Sequence, residues 1–221
     1  MRFSITPFLV CISFGSMTFA DEAAPLTEKP TIQVIKPAMS PKQALEKLVE
    51  GNKRYTEDHL LHADSSAERR EAISSKQEPF AVILGCSDSR VPPEIVFDQG
   101  VGDLFIVRVA GNVAGPIEID SMEYAVKHLH SSLIMVLGHE SCGAIKAVLA
   151  NDLTEVDELG ALIKPAVTQC KNVDQCVRSN VNYVVKKIKE SAIIAPHVLA
   201  GEVDVVGAYY NLNTGKVELL P

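Results

Sequence analysis

Phe80-Ala81-Val82-Ile83-Leu84-Gly85-Cys86-Ser87-Asp88-Ser89-Arg90 is an apolar run that ends abruptly on a thiol, a carboxylate and a guanidinium. Further along, Leu133-Ile134-Met135-Val136-Leu137-Gly138-His139-Glu140-Ser141-Cys142 repeats the plan with an imidazole and a second thiol. Runs that are apolar at every position suit strands buried on both faces, as in a parallel sheet. Ligands of such sheets collect beyond the carboxyl ends of the strands, which is where both polar turns fall. Between the two runs, Leu104 to Val109 reads as another strand. Pro116 to Leu129 reads as a helix with Ile117, Ile119, Met122, Ala125, Val126 and Leu129 on its apolar face.

The flanking sequence supplies the rest of the fold. Ser40 followed by Pro41 opens a helix to Tyr55, with Ala44, Leu45, Leu48 and Val49 on one face. The polar stretch from Leu60 to Lys76 reads as a second, more exposed helix. Gly143 to Ala150 begins a helix straight after Cys142. Leu153 to Thr168 and Asn172 to Lys189 read as two more, the last with Asn172 and Gln175 as a capping pair. Val203 to Tyr210 and Lys216 to Leu219, joined through Asn213-Thr214-Gly215, read as a hairpin. The expected class is α/β: a mostly parallel β-sheet flanked by helices, with a C-terminal antiparallel hairpin, in one domain over residues 40–221.

At 221 residues, 47% of them hydrophobic, the chain can bury one substantial core. Residues 1–20 have the layout of a secretory signal peptide: Arg2, an apolar run from Ile5 to Phe14, and small residues before Asp21. That run is too short to span a bilayer. Cys11 follows Val10, where lipid attachment wants a small residue. The expectation is a secreted, periplasmic protein with no membrane association after cleavage. Cleavage removes one Arg and no acid, so the net charge of −7 becomes −8. Such acidity argues against nucleic acid as a partner. Residues 21–39, carrying Pro25, Pro30 and Pro37, read as an extended N-terminal arm.

Two buried thiols alone would be ordinary. An Asp and a His at ligand spacing beside them point instead to a metal. Cys86 and Asp88 are two apart, so in an extended segment their side chains leave on the same side. His139 and Cys142 fit around one tight turn entering a helix. Two thiolates, an imidazole and a carboxylate are ligand types that Zn²⁺ takes in tetrahedral sites. Arg90 decides the kind of site, because its fork can grip Asp88 and draw it off the metal, opening a place for water. An open position separates catalytic from structural zinc. Cys170 and Cys176 lie outside this set. In a continuous helix they would sit on opposite sides, so a disulfide requires a break; a bridge and two buried free thiols both stay open.

These motifs closely resemble the β-class carbonic anhydrases, from about Ser40 to the C-terminus. The likeness is strongest in CSDSRVPPE (Cys86 to Glu94), GDLFIVRVAGN (Gly102 to Asn112), SMEYAV (Ser121 to Val126) and GHESCGA (Gly138 to Ala144). The resemblance implies one Zn²⁺ per subunit on Cys86, His139 and Cys142, with Asp88 exchanging with water and paired to Arg90. It implies reversible hydration of carbon dioxide to bicarbonate, with Gln77, Phe105, Tyr124 and Gly143 contacting substrate. Gln77 and Tyr124 would come from a neighbouring subunit, hence a dimer or tetramer. The branch of the family with an inhibitory bicarbonate site has a Trp where this chain has Ile83, and the chain contains no Trp. Arg108 and Tyr124 match other members of that site, but the branch expected is the one in which Gln77 contacts substrate.

Two other functions are compatible with the same residues. One is hydrolysis of CS2 or COS on the same fold; the other is a non-catalytic, zinc-stabilised bicarbonate-binding protein. The joint presence of Arg90, Gln77 and Phe105 argues against the non-enzyme reading, while access to the site, set by loops and assembly, is what separates the two enzyme readings. His59, His62, His128, His130 and His197 have no evident carboxylate partner in the sequence and are expected to be inert.

Overall fold

The structure is a computed structural model and describes residues 38–152 and 157–221. The expected signal peptide and residues 21–37 of the expected arm lie outside the described residues. Five strands form one sheet: β1 (Ala81–Gly85), β2 (Leu104–Arg108), β3 (Leu133–His139), β4 (Asp204–Tyr210) and β5 (Val217–Leu219). Their order is β2-β1-β3-β4-β5; the first four are mutually parallel and β5 runs antiparallel to β4. The expected class is therefore the observed one.

Eight α-helices surround the sheet among the described residues: α1 (Pro41–Thr56), α2 (Ala67–Ala72), α3 (Pro93–Val96), α4 (Pro116–Leu129), α5 (Gly143–Leu149), α6 (Asp157–Ile163), α7 (Val173–Lys189) and α8 (Ile194–Leu199). Helix α1 starts where Ser40 and Gln43 cap each other: Gln43 N donates to Ser40 Oγ at 3.3 Å and Ser40 N to Gln43 Oε1 at 3.0 Å. In α4, Gly115 N donates to the Glu118 carboxylate at 2.8 Å and Pro116 takes the first turn. His130, at φ 60°, ends it in the left-handed conformation.

Alternation along each central strand sends side chains to two packed faces. Val82, Leu84, Ile134 and Val136 meet Met122 and Val126 of α4 and Val181 and Val184 of α7. Ala81, Ile83, Leu133 and Met135 meet Ala44 and Leu48 of α1 and Val96 and Phe97 near α3. Each fully buried Leu or Ile stabilises the fold by about 2 kcal/mol. Helix α7 lies close to the sheet because two glycines leave room. A Cβ on Gly138 would sit 2.6 Å from Val181 Cγ2, and one on Gly207 2.8 Å from Val181 Cγ1.

Several elements differ from expectation. The second helix covers only Ala67–Ala72, since the preceding loop is tied to Asp98 through the N–H groups of Leu61 and His62. The Leu153–Thr168 helix is reduced to α6 and a 3-10 turn at Lys164–Ala166, where Pro165 cannot continue the ladder. Residues 153–156 lie outside the described residues. Val49 and Ile117, placed on apolar faces by periodicity, are exposed. No described helix is long and apolar enough to cross a membrane.

Candidate metal centre

Strands β1 and β3 are neighbours, with Gly85 opposite Leu137, so the turns that follow them meet at the same edge of the sheet. Cys86 leaves β1, His139 closes β3 and Cys142 precedes α5. All three are buried, and their ligand atoms lie within 4.8 Å of one another. The His139–Cys142 turn depends on Ser141 in the left-handed region, φ 57°. It is fastened to the end of β4, where Glu140 N donates to Tyr210 O at 2.9 Å and Glu140 Oε2 accepts from Leu212 N at 3.1 Å.

The donor set fits a metal ion. His139 Nδ1 lies 2.9 Å from the Glu140 carbonyl, which only accepts, so the ring proton belongs on Nδ1 and Nε2 presents a lone pair. That Nε2 is buried and has no hydrogen-bond partner among the described residues. Orphaned buried nitrogens are rare in folded proteins. The neighbouring Cys142 thiol draws Cys86 below the ordinary thiol range against the effect of burial, and Cys86 in turn pushes Cys142 up. Backbone N–H groups favour the thiolates: those of Gly111 and Asp88 at Cys86, and those of Ile145 and Ala144, at the start of α5, at Cys142.

Asp88 stands beside this cluster without joining it. Its Oδ2 is 3.7 Å from His139 Nε2. Arg90 holds both oxygens, with Nε and N donating to Oδ1 at 2.9 and 3.0 Å and Nη2 to Oδ2 at 2.7 Å. The Arg90 side chain, against burial, keeps the Asp88 carboxyl well below the usual carboxylate range. Gly143, the first residue of α5, has no heavy atom within 4 Å of where a Cβ would sit, so the site is open on that side.

The structure gives Arg108 and Gly111 roles at the cluster that the motifs did not assign. Arg108 Nε donates to Cys86 O at 2.9 Å and Nη2 to Asp88 O at 2.6 Å, fixing the backbone that carries both side chains. Gly111 N donates to Cys86 Sγ at 3.2 Å. The Gly-Asn pair after β2 was the available signal, because a left-handed turn there brings an N–H back toward β1. Three other candidate residues lie apart from the cluster within the chain. Gln77 is exposed and precedes the amino end of β1, whereas Cys86 follows its carboxyl end. Phe105 is level with Val82, three positions short of the Gly85–Arg108 pair. Its ring pairs with Tyr124 at 6.4 Å, and Tyr124 with His128 at 5.2 Å, on a largely exposed part of α4. Cys170 and Cys176 are joined in a disulfide with Cα atoms 5.2 Å apart. The helix break this needs is present, since α7 begins at Val173 behind the Asn172 cap.

Fold and site together define a parallel-sheet α/β protein with a Cys-His-Cys metal-ligating set at its strand ends. The family model described as carbonic anhydrase matches residues 81–217. A carbonic anhydrase of Mycolicibacterium smegmatis is 40% identical over 195 residues, 83% of this chain and 95% of that protein. Among solved structures, the β-carbonic anhydrase CcaA is 26% identical with a TM-score of 0.63, covering 80% of this chain and 95% of its own. A tetrameric β-carbonic anhydrase of Sordaria macrospora shares the fold at 22% identity and a TM-score of 0.63, over 77% of this chain and 90% of its own. The chain belongs to the carbonic anhydrase family, and its fold is that of the β class.

Proposed function

We propose that this protein hydrates carbon dioxide reversibly to bicarbonate and a proton, using one zinc ion per subunit. The observation that carries this reading is the unpartnered His139 Nε2, buried against two thiols with an Arg90-held carboxylate 3.7 Å away. Cys86, His139 and Cys142 are the residues that would hold the ion, which supplies the Lewis acidity that makes water nucleophilic near neutral pH. Asp88, kept anionic, accepts a hydrogen bond from the attacking water and turns its lone pair toward carbon. Arg90 restrains the carboxylate from closing onto the cluster, and Arg108 fixes the backbone on which Asp88 turns. The new O–C bond forms as one proton passes to solvent, leaving bicarbonate. The relatives named above are carbonic anhydrases, which favours carbon dioxide over CS2 or COS.

Substrate contact by Gln77, Phe105, Tyr124 and Gly143, self-association as a dimer or tetramer, and export belong to the same proposal. The place of Gln77 supports a second subunit, because a residue before the amino end of β1 serves a site at the carboxyl end only in another copy. The Cys170–Cys176 bridge supports an oxidising compartment and hence a cleaved leader. Stopped-flow hydration of carbon dioxide by metal-replete mature protein, with zinc measured on the same sample, tests the function. Zinc-loaded protein that leaves the uncatalysed rate unchanged would refute it.

A further inference from the structure

We propose that Asn180 is a positioning residue of the metal centre, acting on Cys86 through Gly111. Asn180 lies in the middle of α7 and is wholly buried. Its Nδ2 donates to Gly111 O at 2.8 Å, and Gly111 N in turn donates to Cys86 Sγ at 3.2 Å. Gly111 connects the two because its φ of 70° turns the N–H toward the sulfur and the carbonyl toward α7. No other residue substitutes freely there, since a Cβ would sit 3.0 Å from Ile163 Cδ1 and 3.2 Å from Ala144 Cβ.

The amide of Asn180 is not placed for its own satisfaction. Its Oδ1 has no partner among the described residues, and neither has Nδ2 of the adjoining Asn112, which is also buried. A buried amide that leaves half its capacity unpaired calls for an explanation, and the Gly111 carbonyl is the contact it makes. Groups that orient a ligand and withdraw charge from it set how tightly the metal is held. Asn180 thereby ties the longest helix over the sheet to one sulfur of the site.

The inference rests on the reading of Cys86 as a metal ligand, and the experiment separates the two. Cobalt-loaded wild-type, Asn180→Ala and Val184→Ala proteins are compared by their dissociation constant against a chelator, their thiolate-to-cobalt charge-transfer band and the melting of the metal-free protein. Val184 is buried one turn further along the same helix, in the cluster with Val82 and Val136 of the sheet. Asn180→Ala is expected to weaken cobalt binding about 10- to 100-fold and to move the band. Val184→Ala is expected to lower the melting temperature and leave both readings unchanged. Asn180→Leu, which keeps the branched shape and removes the donor, gives the same result where the alanine variant is not recovered folded. Unchanged affinity and band in the Asn180 variants overturn the proposal alone. A wild-type cobalt protein with no thiolate band overturns the ligand reading and this proposal with it.

Discussion

Asp88 and Arg90 are two residues apart in sequence and joined by three hydrogen bonds, and their division of labour can be tested by single substitutions. Arg90→Ala frees a carboxylate that sits 3.7 Å from a ligand nitrogen, so it swings toward the ion. The expected result is a loss of about 100-fold in kcat/KM with zinc content unchanged, measured by stopped-flow and atomic absorption. Cys86→Ser or His139→Ala, in contrast, should purify with little zinc. At this scale the sequence was informative wherever residue type and local spacing suffice: both turns, the clustering of Cys86, His139 and Cys142, and the Asp88–Arg90 pair were readable directly. The part Arg108 plays here and the whole of Asn180 were not, because each acts through backbone carbonyls of residues distant along the chain, and carbonyls carry no sequence signal.

Among the elements, the strands and the long helices were readable because their apolar period persists over many residues. Helices α3 and α8 were not, each being too short to show a period. The pattern also misplaced Val49 and Ile117, for periodicity places a residue on a stripe without fixing how wide the covered stripe is. Two element-scale contacts give predictions. Gly138→Ala drives a methyl into Val181 and Val177 and should cost about 1–3 kcal/mol in urea unfolding, by pushing α7 off β3. Asp98 is buried, which raises its pKa, but Arg54 and the N–H groups of Leu61 and His62 outweigh that and hold it low. A depressed folded pKa means the stabilisation is complete above about pH 4, the ordinary aspartate value, and is lost as pH falls below it. The stability gap between wild type and Asp98→Asn should therefore be constant from pH 7 to 5 and shrink on further acidification. A gap that widens in acid would contradict the assignment.

For the whole molecule, the parallel sheet followed from strands that are apolar throughout and the hairpin from the turn at Asn213-Thr214-Gly215, but assembly does not follow from one chain. Apart from the family resemblance Phe105 and Tyr124 read as core residues; Phe105 does pack from β2 against the core, whereas Tyr124 on α4 is about half exposed. If Gln77 serves a neighbour, dilution that separates subunits should abolish activity while zinc stays bound, as followed by sedimentation and hydration rate on the same samples. Reduction of the Cys170–Cys176 bridge, which closes a short loop, should cost about 2 kcal/mol of stability. Thiol titration before and after reductant, set beside melting curves, measures it.

The adjacency of β1 and β3 has a temporal side. Because Cys86 follows β1 while His139 closes β3 and Cys142 follows it, the two halves of the site come together only when those strands pair. A chain in which they are unpaired offers an ion single thiols and a stray imidazole instead of a cage. If the proposed ion binds there, its loading follows the pairing of these two strands.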